Sequence, residues 1–294
     1  MQREKTAVIY HASCPDGFGA AWAAHRVLGA QAQYLPMNHG DPIPQMDDDT
    51  RVYILDFSFD RERMVDLHSK HGQDNVILLD HHITAQQELS GLPNCHIDLS
   101  KSGAVLSWEH FHVGSAAPTL LLYVQDKDLW TWELPDSRAI TAYLTSCEMD
   151  FDTWDRVSRD FETAEGFRNA VEAGEAVLRS REQAVREIGQ LAQVRQVGGH
   201  RIPVANSPIM QSEIGEYLLN AHPDAPFAAI YFDVSPTVRK WSLRSRNDRF
   251  DVSELAKQFG GGGHPAASGF SQSIQTEPPA VPAEPTPGHA GAGD

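Results

Sequence analysis

The residues best suited to chemistry are acidic and imidazole side chains that recur just past short apolar runs. His11 and Asp16 follow Ala7-Val8-Ile9-Tyr10, Asp56 follows Val52-Tyr53-Ile54-Leu55, and Asp80-His81-His82 follows Val76-Ile77-Leu78-Leu79. Asp126 and Asp128 follow Leu120-Leu121-Leu122-Tyr123-Val124. A single Asp after a strand is ordinarily a turn residue or a helix cap. Four segments carrying carboxylates or imidazoles at the same kind of position are not explained that way. Their oxygen and nitrogen donors suit Mn²⁺, Mg²⁺, Fe²⁺ or Zn²⁺. A shared carboxylate can bridge two such ions about 3.5–4 Å apart, the geometry of phosphoester hydrolysis. The three cysteines, Cys14, Cys95 and Cys147, form no CxxC pair, which argues against a structural zinc.

A second loaded segment is Phe259-Gly260-Gly261-Gly262-Gly263-His264-Pro265-Ala266-Ala267-Ser268-Gly269-Phe270. Consecutive glycines let backbone approach a ligand and reach positive φ, and their N–H groups can form a nest for an anion. His264 adds a donor, and Ala266-Ala267 would let a following helix pack closely. A flexible linker would not carry His-Pro-Ala-Ala between two phenylalanines. Arg244 and Arg246, just upstream, could pair with phosphate.

These residues need elements to position them. Short continuous apolar strands separated by helices (Gly17–Leu28, Arg61–Lys70, Ser102–His110) predict an α/β fold with a parallel sheet covered on both faces. In such sheets ligands sit at the carboxyl ends of the strands, where all four loops would converge. Thr119–Val124 is expected as a helix or a buried segment. From Phe161 to Arg195 apolar residues recur at helical spacing, predicting one long helix, or two broken near Gly174. Beyond Val197, Ile202–Ala205, Ala228–Phe232 and Lys240–Ser245 are strand candidates and Val252–Phe259 a short helix. The expected organisation is a catalytic domain over 1–150, a helical linker over 151–196, a smaller mixed α/β domain over 197–272 and a disordered tail over 273–294. From Gln275 onward the chain is too poor in apolar bulk to build a core.

At these residues the sequence resembles the DHH phosphoesterase family. His11-x-x-x-x-Asp16-Gly17, Asp56, the triplet Asp80-His81-His82 and Asp126-Lys127-Asp128-Leu129-Trp130 look like its first four motifs, in the family's order. Gly261-Gly262-Gly263-His264 with Ala266-Ala267-Ser268-Gly269-Phe270 resembles the signature of the DHH-associated C-terminal domain. The likeness runs from residue 6 to 270. It implies a two-ion centre, usually Mn²⁺, with Mg²⁺ or Fe²⁺ as alternatives. Asp56 would bridge; Asp16, His81 and Asp126 would complete one ion's shell and His11 would serve the other. Asp126 is favoured over Asp128 because an aromatic four positions on resembles the family spacing, and both stay candidates. His82 would contact the scissile phosphate, Asp80 would orient an imidazole, and Arg244, Gly261, Gly262, Gly263 and His264 would grip the substrate's terminal nucleotide or phosphate. One departure stands out: many relatives carry a further Asp two residues before the Asp-Gly, and here that residue is Cys14.

The implied reaction is hydrolysis of a phosphodiester by two-metal water activation. Against 40 acidic residues stand 24 basic ones, a formal charge of −16, which disfavours long polyanions and points to short oligonucleotides or small nucleotide phosphodiesters. Two rivals remain: an exopolyphosphatase or pyrophosphatase, and a nucleotide-binding module with reduced catalysis. No run of 18 apolar residues exists, so no membrane partner is expected. Met1–Lys5 leads straight into a strand with no secretory signal, and sparse cysteines suit a reducing cytoplasm. Self-association into a homodimer stays open.

Overall fold

The computed structural model describes residues 5–38, 40–246 and 249–274. The chain divides into two compact units, Met1–Arg179 and Ser180–Asp294.

The first unit is built on a five-stranded, wholly parallel sheet. Its elements run β1 (Thr6–His11), α1 (Pro15–Leu28), β2 (Ala32–Met37), β3 (Arg51–Leu55), α2 (Arg61–His71), β4 (Val76–Asp80), α3 (Ile83–Leu89) and β5 (Cys95–Ile97). Strand order is β2-β1-β3-β4-β5. The three strands anticipated from apolar runs are the central ones, and all five residues of β4 are buried. Central parallel strands lose both faces to packing, so apolar side chains occupy every position rather than alternate ones. β2 and β5 are edge strands that the apolar pattern does not reveal. β2 carries Gln33 and Pro36, tolerated where one side has no ladder partner.

Five helices follow: α4 (Gly103–Phe111), α5 (Thr119–Asp128), α6 (Ser137–Ser146), α7 (Phe151–Phe161) and α8 (Ala164–Gln190). α8 is continuous through Gly174, where a Cβ would fall 1.9 Å from the Ala139 carbonyl oxygen. The segment expected as a linker from residue 151 therefore begins with core. The Asp150 side chain caps α7 by accepting from Thr153 N at 2.8 Å. Trp154, Val157 and Phe161 on α7 then bury against Phe18 and Trp22 of α1, with Trp108 of α4 in the same cluster. The division between units falls inside α8, after Arg179.

The second unit holds β6 (Gln193–Val197), β7 (His200–Asn206), α9 (Gln211–Ala221), β8 (Phe227–Ser235), β9 (Val238–Ser245), α10 (Val252–Gln258), β10 (Gly262–His264) and β11 (Ala267–Ser273). These strands form a mixed six-stranded sheet in the order β10-β11-β9-β8-β7-β6, in which only β7 and β8 pair in parallel. One face packs Ile202, Phe227, Leu243, Val252 and Leu255; another cluster joins Val185, Ala205, Ile214, Leu218 and Ile230. The chain after the glycines is the strand β11, not the helix that Ala266-Ala267 suggested. Of the expected tail, Ser273 ends β11 and 275–294 lie outside the described residues.

Candidate metal centre

Three strand ends and one helix end of the first unit bring their polar residues together. β1 ends at His11. Ser13, at φ 55°, then reverses the chain, Cys14 takes the N-cap of α1 and Pro15 its first turn, where a missing N–H costs nothing. Asp16 lies in that same turn and is buried. Its two oxygens accept from Gly103 N at 2.7 Å and Ala104 N at 2.9 Å, so the N-terminus of α4 holds the carboxylate. Asp56 directly follows β3 with φ 53°, a left-handed conformation uncommon for a residue with a Cβ. Backbone held there stores roughly 1–3 kcal/mol that the surroundings must offset, and such strain clusters at functional sites. α4 crosses so close to Asp56 that a Cβ on Gly103 would lie 2.4 Å from Asp56 Cβ.

His81 stands at the middle. Its Nε2 is 3.1 Å from Asp56 Oδ1, 3.5 Å from Asp16 Oδ2 and 3.4 Å from Asp128 Oδ2. His11 Nδ1 lies 3.6 Å from Asp56 Oδ2. Within 4.8 Å of one another lie donor atoms of three sets: His11, Cys14 and Asp56; Asp56, His81 and His82; and Asp16, His81 and Asp128. Asp56 and His81 each belong to two sets. Asp80 is fully buried, and its Oδ1 accepts from His81 N at 2.7 Å and contacts His82 Nδ1 at 2.7 Å. That contact fixes the His82 ring with Nε2 as its outward nitrogen.

Asp126 and Asp128 part company. Asp128 joins the cluster. Asp126 turns away and accepts from Thr131 Oγ1 at 2.7 Å, Glu133 N at 2.8 Å and Leu134 N at 3.4 Å. The preference for Asp126 is therefore reversed: its carboxylate staples the turn after α5, and these bonds hold its pKa below the usual range although burial opposes them. Both residues sit at a helix C-terminus, not past a strand. A carboxylate there opposes the helix dipole, so Asp128 gains from a nearby cation.

The cluster's protonation reflects crowding. Burial, then Asp56 and Asp128, push Asp16 well above the ordinary carboxylate range. Burial alone would raise Asp56 as well, but His11 and His81 beside it bring it to about 2. Burial raises Asp128. His11 is raised to about 10 by its bonds to Asp56 and Cys14. Burial opposes charge on His81, yet Asp56, Asp16 and Asp128 lift it to about 9. His82 is raised by its bond to Asp80. Two observations test a divalent ion against this pocket. Asp56 Oδ1 is buried and forms no well-aligned hydrogen bond, leaving an oxygen without a settled donor. Three acidic side chains, Asp16, Asp56 and Asp128, also converge around His81. The donor set fits a divalent cation on both counts.

The second unit carries the other anticipated residues. Arg244, on β9, is half-buried against Gly215 of α9 and donates to Ser212 Oγ at 3.1 Å. Burial lowers its pKa, and the carboxylate of Glu213 acts weakly in the other direction. Arg246 donates to Asn220 Oδ1 at 2.9 Å. Gly262, Gly263 and His264 form β10, which pairs with β11, so this stretch is a hairpin strand rather than an open nest. Gly261 is required by the chain itself: a Cβ there would sit 2.1 Å from the Gly269 carbonyl oxygen. His264 is exposed.

Sequence reasoning missed Ser102-Gly103-Ala104. Ser102 accepts from Val105 N at 3.4 Å as the cap of α4, a signal visible in sequence, but nothing there ties that cap to Asp16.

No protein-family model matches the chain. Over 289 residues it is 31% identical to the uncharacterized protein R106 of Acanthamoeba polyphaga mimivirus, covering 90% of this chain and 66% of that one. It is 26% identical over 276 residues to the oligoribonuclease NrnB of Bacillus subtilis (strain 168), covering 83% and 64%. The chain thus spans just under two thirds of the length of these curated relatives. Among solved structures, the pGpG-specific phosphodiesterase PggH from Vibrio cholerae superposes with a TM-score of 0.53 at 15% identity, over 92% of this chain and 94% of that one. That likeness shows a shared fold. The Asp-His-His triplet, the four converging segments and the oligoribonuclease relative are consistent with the resemblance to the DHH phosphoesterase family read in the sequence. No described helix is long and apolar enough to cross a membrane.

Proposed function

We propose that the chain is a metal-dependent phosphodiesterase acting on short oligonucleotides or small nucleotide phosphodiesters. The observation that carries this is the sharing of Asp56 and His81 among three donor sets within 4.8 Å. A bridging carboxylate between two sets is what a pair of divalent ions requires. His11 and Asp56 would hold one ion; Asp16, Asp56, His81 and Asp128 would hold the other, Mn²⁺ being the expected species there. Held there, such ions would supply water activation and charge neutralisation at the phosphate. The protein's own part is positioning. The N-terminus of α4 fixes Asp16, and Asp80 aims His82 so that its Nε2 would meet a phosphate oxygen. In the second unit, Arg244, Gly261, Gly262, Gly263 and His264 are the residues that would take a terminal phosphate or nucleotide. The half-buried Arg244 guanidinium, which donates to Ser212 Oγ, supports that role. The relative NrnB is named an oligoribonuclease and the neighbour PggH a pGpG-specific phosphodiesterase, and both names agree with a small diester substrate. Three unpaired cysteines suit a cytoplasmic setting.

The test is a panel of Mn²⁺, Mg²⁺, Fe²⁺ and Co²⁺ against pApA, pentanucleotides and inorganic polyphosphate. Metal-dependent release of mononucleotides, abolished in Asp56→Ala together with ion binding, is expected. Turnover of polyphosphate alone would replace the proposal with an exopolyphosphatase. Tight nucleotide binding without turnover would replace it with a binding module.

A further inference from the structure

The three donor sets are not chemically alike. Two consist of carboxylates and imidazoles. The third contains a sulfur: His11, Cys14 Sγ and Asp56 lie within 4.8 Å of one another, with His11 near Asp56 Oδ2 while His81 approaches the other oxygen, Oδ1. Cys14 reaches this place through backbone constraint. The left-handed turn at Ser13 and the proline at the first position of α1 fix its backbone as the extended N-cap residue (φ −124°, ψ 128°), and its side chain makes no capping hydrogen bond. Its sulfur therefore does none of the capping work common at that position. In the same set lies the Asp56 carboxylate, 1% exposed, whose Oδ2 is 3.6 Å from His11 Nδ1. The other cysteines join none of the three sets.

We propose that Cys14 Sγ is a direct ligand of the ion shared by His11 and Asp56, making the centre chemically asymmetric: a thiolate-containing position that selects a borderline ion such as Zn²⁺, Co²⁺ or Fe²⁺, beside an all-oxygen-and-nitrogen position suited to Mn²⁺. This rests on the two-ion reading above and assigns the chemistry of one half of it. A thiolate is a soft donor, and the affinity order of first-row ions at such a set runs against Mn²⁺ and Mg²⁺. A ligating sulfur is a thiolate and a ligating imidazole is neutral, so protons held by Cys14 and His11 leave to solvent when an ion takes the position. Aspartate in the same place would restore a hard site.

Co²⁺ tests this, because thiolate ligation gives a near-ultraviolet sulfur-to-cobalt charge-transfer band independent of turnover. The full chain is titrated with Co²⁺ beside Cys14→Ser and Cys14→Asp, with melting curves to show that each variant is folded. The expected result is a charge-transfer band in the parent saturating at one equivalent and missing from both variants, which keep Cys95 and Cys147. Competition titrations should show the Zn²⁺-over-Mn²⁺ preference of that position falling by roughly 10–100-fold in Cys14→Asp, the scale on which metal-site contacts count. Two equivalents of Co²⁺ bound without the band would overturn the sulfur ligand and leave the two-ion centre standing. No Co²⁺ bound at all would overturn both.

Discussion

Replacing Gly103 by alanine sets two forces against each other. Alanine is the better helix former by about 1 kcal/mol, so propensity alone predicts that Gly103→Ala stabilises α4. The structure predicts the opposite. The new methyl would sit 2.4 Å from Asp56 Cβ and 2.8 Å from Asp56 Oδ1, where ordinary contact begins at 3.4 Å. The helix and Asp56 must then separate by about 1 Å, and forcing extra volume into packed structure costs typically 1–3 kcal/mol. The shift cannot stay local. Gly103 N and Ala104 N hold Asp16 at 2.7 and 2.9 Å, so moving α4 pulls one carboxylate of the cluster while pushing another. A displacement of about 1 Å at reacting groups costs on the order of 100-fold in rate. The expected outcome is a Tm lower by several degrees, at about 2–4 °C per kcal/mol. Mn²⁺ affinity by calorimetry should fall, and turnover of a dinucleotide should drop by about two orders of magnitude. Parent-like affinity and rate, with an unchanged or higher Tm, would refute the argument that α4 and Asp56 are in register with the chemistry.

Three further predictions follow from neighbouring features. Asp128→Asn should weaken ion binding by about tenfold or more with little change in Tm. Asp126→Asn should instead lower stability by about 1–3 kcal/mol and leave ion affinity near that of the parent, because it loses bonds to the 131–134 turn; calorimetry and melts on both variants decide between them. Trp130, two residues after Asp128, is 70% exposed, held at φ 60° in the turn that Asp126 organises and packed edge-to-face on Trp132. Trp130→Ala should raise KM for nucleotide substrates by about 1–3 kcal/mol of lost stacking with kcat little changed, and leave a base-free phosphodiester unaffected; equal loss on both substrates would exclude stacking. Finally, His68 and His71 on α2 are buried and their pKa values lowered, by burial in both and additionally by Lys70 for His71. The unfolded chain then takes up protons first as pH falls through about 6.5, so these residues cost stability from there down to their own lowered values. Urea melts at pH 7.5 and 5.5 should show less loss on acidification in the double variant His68→Gln, His71→Gln than in the parent.

The parts of this site legible in the sequence are those whose cause is local. β1, β3 and β4 are buried on both faces, so unbroken apolar runs mark them, and the chemistry-bearing residues begin where those runs stop. β2 escapes because an edge strand need not be apolar, and Pro36 argues against a strand until the free edge is known. α7 falls in the stretch expected as a helical linker, and what escapes is its burial, because its apolar stripe of Trp154, Val157 and Phe161 is narrow in an otherwise polar segment. The choice between Asp126 and Asp128 has a geometric cause. On a helix, residues two apart project about 200° from each other, so only one can face the cluster, and motif spacing cannot say which. Hydrogen-bond supply decides it: Asp126 finds donors in the turn that follows, while Asp128 faces other acids. The need for Gly103 is least legible, because its reason lies 47 residues upstream, in the backbone conformation of Asp56. A strained aspartate, a helix N-terminus gripping a second one and a glycine admitting the approach form one device. The strain and the glycine cost stability, the helix N-terminus offsets part of it, and together they bring acidic groups to distances whose repulsion a divalent cation would relieve.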